Sequence, residues 1–413
     1  MALSSLIESV LGPDLPIAVR GYDGSVLGPP DAPATLVLRS RNALRRIVTA
    51  PGELGFARAY VSGDLDVEGD IYAALRLRDR LPDIRLTMGQ LIAAAREVGL
   101  RSLRPLAPPP EEARLHGRRH SVARDRAAVS HHYDVSNDFY RLILGPSLTY
   151  SCAVFTSDDT TLEEAQANKY ELVARKLGLR AGMRLLDVGC GWGGMVLHAA
   201  EHHGVRAVGV TVADRQVDLA SKRAADAGLA DRVEVRNQDY RLIEDGPFDA
   251  VSSIGMFEHV GEAHLAEYFR HLFELLAPGG RLLNHGISRP PGESSRFSRN
   301  SFIDHYVFPD GELHEVGRVV SIMQEAGFEV RHVESLREHY AKTLRHWVSN
   351  LEDHWDEAVE LVGLARARVW RLYMAASALN FEANRSQIHQ VLGVKPAGVR
   401  SQMPLRPDWE LDR

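Results

Sequence analysis

The chain has 413 residues, 45% hydrophobic and 25% charged, a globular composition long enough for two domains. A net charge of -6 argues against a general nucleic-acid binder, and two cysteines, Cys152 and Cys190, leave no disulfide framework and point to a reducing cytoplasm. The start, MALSSLIESVLG, lacks a basic region and carries Glu8, so it does not read as a signal peptide, and no run approaches the roughly 18 apolar residues of a membrane span, so any contact with a bilayer is expected to be peripheral.

Short strands and amphipathic helices are expected from PATLVLRSRNALRRIVTA through LGFARAYVSGDLDVEGDIYAALRLRDRL, closing near Leu81. One more helix follows in PDIRLTMGQLIAAAREVGL, with Leu86, Leu91, Ile92 and Val98 on its apolar side. RSLRPLAPPPEEARLHGRRHSVARDRA has a proline cluster and no periodicity, and reads as an interdomain linker. Its arginines (101, 104, 114, 118, 119, 124 and 126) outnumber its acids. The linker is therefore either a solvated basic tether or a segment drawn to anionic lipid head groups, where each exposed cation adds about 1 kcal/mol. The boundaries expected are 1–100 for a smaller α+β amino-terminal domain, 101–126 for the basic linker and 127–413 for a larger α/β domain.

From Leu162 helices and strands alternate: EAQANKYELVARKLGL, MRLLDVG, GMVLHAAEHHG, RAVGVTV, RQVDLASKRAADAG, RVEVRNQD, FDAVSSIG, HLAEYFRHLFELLAPGG and RLLNHGI. That alternation builds a parallel sheet covered on both faces. APGG is expected to close its helix with glycine, and 289–308, where periodicity is lost, to form an insertion over the carboxyl edge of the sheet. The segment from His339 to Arg385 reads as helical and holds Trp347, Trp355 and Trp370.

MRLLDVGCGWGG, from Met183 to Gly194, places four glycines and Asp187 at a strand-to-helix turn. In an open α/β sheet ligands bind at the carboxyl ends of strands, where glycine lets them approach the main chain and the helix N-terminus favours negative charge. The D-x-G-x-G-x-G spacing differs from the dinucleotide fingerprint and no Walker lysine follows, which favours S-adenosylmethionine over NAD or ATP. GVTV, NQDY and FDAVSSIGMFEHVG end later strands and deliver polar groups to the same edge. Taken singly, Tyr240 reads equally as a packed aromatic, Asp239 as a helix cap and Gln216 as a solvated residue.

HHYDVSNDFYRLILGPSLTYSCAVF, LLDVGCGWGG, GMFEHVG, HGI, YVFPDGEL and HYAKTLRHW resemble the cyclopropane-fatty-acyl-phospholipid synthases and the mycolic acid cyclopropane synthases, over roughly Ala127 to Asn384. AYVSGDLDVEGD is similar to the amino-terminal domain of the longer, phospholipid-acting members, and the stretch before Leu81 faintly resembles sterol-carrier-type lipid-binding domains. The resemblance implies a Rossmann-like class I S-adenosylmethionine-dependent methyltransferase domain with helical lid insertions, preceded by a lipid-binding-like domain. It further implies methyl transfer to a cis alkene in the acyl chain of an unsaturated phospholipid, at the inner face of the membrane, through a carbocation shielded from water and deprotonated with the help of bound bicarbonate.

Carried over residue by residue, the bicarbonate pocket is Cys152 and Ile287 through their backbone, with Glu258, His285 and Tyr340. The cofactor set is Tyr150 and Ser151 at the methionine end, Asp187, Gly189 and Gly191 in the turn, Thr211 and Gln216 on the ribose, Asp239 and Tyr240 beside adenine, and Ile254 and His259 near the sulfonium. No metal is implied. Glu258 and His285 each follow an apolar strand, and a carboxylate beside a buried imidazole can keep it charged and orient it. Cys152 lacks a context that lowers its pKa and reads as a small buried hydrophobe. The second strand ends without the acid that usually grips the ribose, and Thr211 with Gln216 is preferred to Asp214. Proton loss from a neighbouring carbon, giving a methylene or methyl branch, a small-molecule methyltransferase, and a noncatalytic lipid-binding protein stay open, as does homodimerisation.

Overall fold

The computed structural model describes residues 3–12, 14–80, 89–90, 99, 104–113, 124, 136–292, 298 and 301–411. Nearly all of the helix expected over 82–100, most of the linker, the HHYDV segment and positions 293–297, 299 and 300 of the expected insertion lie outside the described residues. The chain folds as two compact units, one from Met1–Arg114, Ser298–Pro309 and His354–Leu379, the other from Leu115–Phe297, Asp310–Asp353 and Asn380–Arg413.

In the first unit β1 (Ala18–Arg20), β2 (Val26–Leu27), β3 (Ala34–Leu38) and β4 (Leu65–Gly69) form a sheet in the order β2-β1-β3-β4. β3 runs parallel to β1 and antiparallel to β4, so the chain must cross over between β1 and β3 but returns directly to β4 through the helices Arg41–Thr49 and Glu53–Val61. Ser40 starts the first of these helices by accepting from the Asn42 amide at 3.1 Å. Distant sequence closes the unit: Arg368, buried, donates to Asp66 Oδ2 on β4 at 2.9 Å. Glu112, also buried, lies between Arg58 (2.6 Å) and His305 (2.9 Å). Burial alone would raise the Glu112 carboxyl, but the bonds from His305 and Arg58 take it down to about 2.

The second unit holds a seven-stranded sheet in the order β10-β11-β9-β8-β5-β6-β7. Its strands are β5 (Arg184–Val188), β6 (Arg206–Thr211), β7 (Val233–Asn237), β8 (Phe248–Ile254), β9 (Leu276–Ser288), β10 (Glu329–Ser335) and β11 (Gln387–Val394). β5 to β9 are parallel as expected; β10 and β11, absent from the sequence reading, add an antiparallel edge. Along β5 and β6, Leu185 and Ala207 face one apolar layer while Leu186, Val188, Val208 and Val210 face the other, so both faces are covered. From β5 the chain moves outward to β6 and β7, then returns to β8 on the other side of β5. The carboxyl ends of β5 and β8 therefore diverge at a topological switch point, which opens a crevice there.

APGG does not close its helix. The helix ends at Leu275 and APGG lies within the opening residues of β9, because Pro278 disfavours helical backbone at the residue before it. The Leu162–Leu177 helix starts on a reciprocal Thr161/Glu164 capping box and stops at Gly178 in the left-handed region.

Candidate active site

The crevice at the switch point is lined by every residue assigned above to the cofactor. Asp187 is the last residue but one of β5, and Ser252 Oγ on the neighbouring β8 donates to its Oδ1 at 2.6 Å. Burial pushes this carboxyl up to about 6, against the bond from Ser252 and the charge of Lys169. Gly189 follows with φ +78°, and a Cβ there would stand 3.1 Å from Met256 Cβ. Gly194 opens the next helix because a side chain would run into the Tyr170 hydroxyl, 1.9 Å from an ideal Cβ. Among the described residues no side chain caps this helix, whose first amides have no partner within the helix.

At the end of β6, Thr211 Oγ1 donates to Gln216 Oε1 at 2.8 Å, and both are buried at the crevice. Asp214 instead bonds Asn237 and is absent from the lining. Asp239 caps the short turn Tyr240–Leu242 through the Arg241 amide at 3.0 Å, so it is both a cap and a crevice residue. The Tyr240 ring meets Tyr268 edge-on, centroids 5.0 Å apart, which leaves it as a side wall. Ile254 ends β8, and His259 lies in the turn Phe257–His259 just beyond it.

The five residues assigned to the anion are absent from that lining, and hydrogen bonds with one strand pairing connect four of them. The Ile287 amide donates to Glu258 Oε1 at 2.7 Å. Ile287 pairs across β9 and β11 with Ile388, whose carbonyl takes the Leu336 amide at 3.0 Å. The Leu336 carbonyl in turn accepts from Cys152 Sγ (3.7 Å) and from the Tyr340 amide (3.0 Å). Glu258 Oε2 and His285 Nε2 are both buried without a hydrogen-bond partner among the described residues.

Burial raises the Glu258 carboxyl to about 7 and drives the Cys152 thiol up, away from the thiolate. His285 departs from expectation. Its ring bonds Gln390 rather than Glu258, with Gln390 Nε2 at 3.1 Å from Nδ1, and burial together with the charges of Lys169 and Lys176 holds it neutral. Glu258 therefore does not keep this imidazole charged.

Residues 120–391 match the mycolic acid cyclopropane synthetase family, two thirds of the chain. The chain belongs to that family of S-adenosylmethionine-dependent methyltransferases. It is 48% identical to a probable fatty acid methyltransferase of Mycobacterium tuberculosis over 408 residues, covering 96% of this chain and 95% of that one. A probable fatty acid methyltransferase of Pseudomonas putida is 40% identical, with 95% of each chain covered. Among solved structures, mycolic acid cyclopropane synthase CmaA1 complexed with SAH and CTAB superposes with a TM-score of 0.61 at 34% identity, covering 65% of this chain and 97% of that one. The mixed α/β fold is thus that of a class I S-adenosylmethionine-dependent methyltransferase.

Sequence reasoning missed the polar face of the Leu162–Leu177 helix. Lys169 is buried at the crevice wall, its Nζ 2.9 Å from Ser151 Oγ and 3.8 Å over the Tyr170 ring. Gln166 is buried too and donates to the Ser151 carbonyl at 3.0 Å. Their spacing of three was a visible helical pairing, but polar residues at that spacing are ordinarily solvated.

Proposed function

We propose that this methyltransferase acts on the cis double bond of an unsaturated fatty acyl chain in a phospholipid and closes a cyclopropane ring. The observation that carries the reading is the pair of buried polar atoms, Glu258 Oε2 and His285 Nε2, that have no hydrogen-bond partner among the described residues and lie next to a methyl-donor crevice. An uncompensated buried polar atom costs about 1–3 kcal/mol, so two together mark a place built for a polar guest. The full-length relatives called fatty acid methyltransferases support an acyl substrate.

S-adenosylmethionine, when bound, supplies an electrophilic methyl group. Asp187, the glycine turn, Thr211, Gln216 and Tyr240 would hold it, with Ile254 and His259 at the reacting end. An alkene is a weak nucleophile, and its methylation leaves a carbocation on the acyl chain that water would capture; the buried surroundings of Cys152, Phe257 and Tyr340 exclude water there. Proton loss from the new methyl group closes the ring. The donor set fits bicarbonate, which would supply the base: a neutral imidazole and a carboxyl titrating near 7, which when protonated donates a hydrogen bond. The Ile287 amide already donates to Glu258, so an anion there shares that donor. A membrane-surface encounter follows from the substrate, with the basic 101–126 segment drawn to anionic head groups. Among the described residues no helix is long and apolar enough to cross a membrane.

Incubation with methyl-labelled S-adenosylmethionine and vesicles of cis-unsaturated phospholipid, followed by proton NMR of the extracted acyl chains, tests the proposal. Strongly shielded ring protons are expected. Vinylidene protons without a ring signal would move the product to the methylene branch, and label confined to the aqueous phase would exclude a lipid substrate. Degassing should slow turnover and added bicarbonate restore it.

A further inference from the structure

The Leu162–Leu177 helix turns Gln166, Lys169, Val173 and Lys176 inward along one stripe, at the three- and four-residue steps of a helix face. Lys176 is 1% exposed, and its Nζ donates to Gln390 Oε1 at 2.7 Å and pairs with Glu334. An ammonium only donates, so the oxygen of the Gln390 amide must face it, and the amide nitrogen must face the other way. That nitrogen lies 3.1 Å from His285 Nδ1. An amide nitrogen only donates as well; Nδ1 is then the acceptor, and the single proton of the neutral ring sits on Nε2. Strand register builds the same line, since Glu334, Gln390, His285 and Ile254 are successive cross-strand partners on β10, β11, β9 and β8.

We propose that Gln390, itself oriented by Lys176, is a positioning residue that fixes His285 as the tautomer protonated on Nε2, so that this ring enters the site as a hydrogen-bond donor and not as a base. The inference rests on the reading of His285 as an anion-holding residue. It gives the two unpartnered atoms distinct roles: Nε2–H donates to the guest, and proton acceptance falls elsewhere in the site. Lys169, on the same helix stripe, adds a second buried positive charge that disfavours an imidazolium.

The test uses the full-length enzyme labelled with nitrogen-15 in its histidine rings, with His285→Asn identifying the signal. In the wild type, Nε2 should carry the proton and Nδ1 none. Gln390→Glu is isosteric and presents an oxygen to Nδ1, so Nδ1 should gain a proton. Turnover on phosphatidylglycerol vesicles with cis-unsaturated chains should then fall on the order of 10²-fold, with the KM for S-adenosylmethionine unchanged. Gln390→Met, which removes the lock without adding charge, should give a mixture of tautomers and a smaller loss, and it carries the test should the glutamate variant fail to fold. A ring that keeps Nδ1 bare in both variants overturns the assignment, and so does a tautomer that switches without loss of turnover. If His285→Asn itself retains turnover, the anion-holding reading fails, while the spectra still decide the tautomer.

Discussion

Replacing Glu258 by Gln separates the electrostatics of the site from its chemistry. Burial raises this carboxyl from 4.5 to about 7; at 1.36 kcal/mol per pH unit this corresponds to about 3 kcal/mol. The folded chain holds the proton more tightly than the unfolded chain. The contribution is therefore complete below about pH 4.5 and is lost as pH rises through about 7. The substituted amide would keep the bond from the Ile287 amide through its oxygen and carry no charge to desolvate. Its nitrogen would replace Oε2, which has no partner among the described residues, and the resulting cost of roughly 1–3 kcal/mol is the same at every pH. The informative quantity is thus a double difference from equilibrium denaturation at pH 5 and pH 8. Wild type should lose about 2–3 kcal/mol more than Glu258→Gln over that interval. In parallel, calorimetry should find the variant's affinity for S-adenosylhomocysteine unchanged while turnover is lost. Equal pH dependence of the two proteins would refute the desolvated carboxyl, and a variant with full turnover would remove Glu258 from the chemistry.

Gly189→Val places a branched side chain at φ +78° and against Met256, so it should cost about 1–3 kcal/mol of stability and abolish cofactor binding in a protein that still folds; unchanged calorimetric affinity would contradict the assignment of the turn. Lys169→Met removes an amine that burial lowers from 10.5 to about 7, whose penalty is absent above about 10.5 and complete below about 7. The variant should therefore gain more thermal stability at pH 6 than at pH 9, yet bind S-adenosylmethionine less tightly for want of the support given to Ser151; an equal gain at both pH values would speak against it. Cys152→Ala should keep turnover within a few-fold and lose about 1 kcal/mol to the small cavity, because the proposed site uses only the backbone of Cys152; loss of activity in a folded protein would reinstate the thiol.

With the full cofactor set given only through a family resemblance, sequence by itself determined the parallel half of the sheet and its ligand edge. Both follow from local rules: alternating apolar runs make strands, a glycine-rich turn after a strand makes a ligand edge, and the ends of successive parallel strands must lie on one side. Asp187, Thr211, Asp239 and Ile254 could be read in that way because each sits within two residues of a strand end. The Cys152, Glu258, His285, Ile287 and Tyr340 group was legible as a list through a family resemblance, but not as a geometry.

Tertiary structure decided the rest. β10 and β11 carry exposed and half-buried polar residues among their apolar ones, and only their antiparallel pairing to β9 gives that pattern a place. The residues 354–379 read as one more helical stretch of the larger domain, yet they cluster with the amino-terminal sheet, where the Arg368 charge meets Asp66. A buried lysine has the same spacing in sequence as a solvated one; what separates Lys169 and Lys176 from the other lysines is which face of their helix the sheet covers. The partner of His285 was hidden for the same reason. Gln390 lies 105 positions away in the chain, and only strand register brings an amide, rather than the expected carboxylate, against the ring.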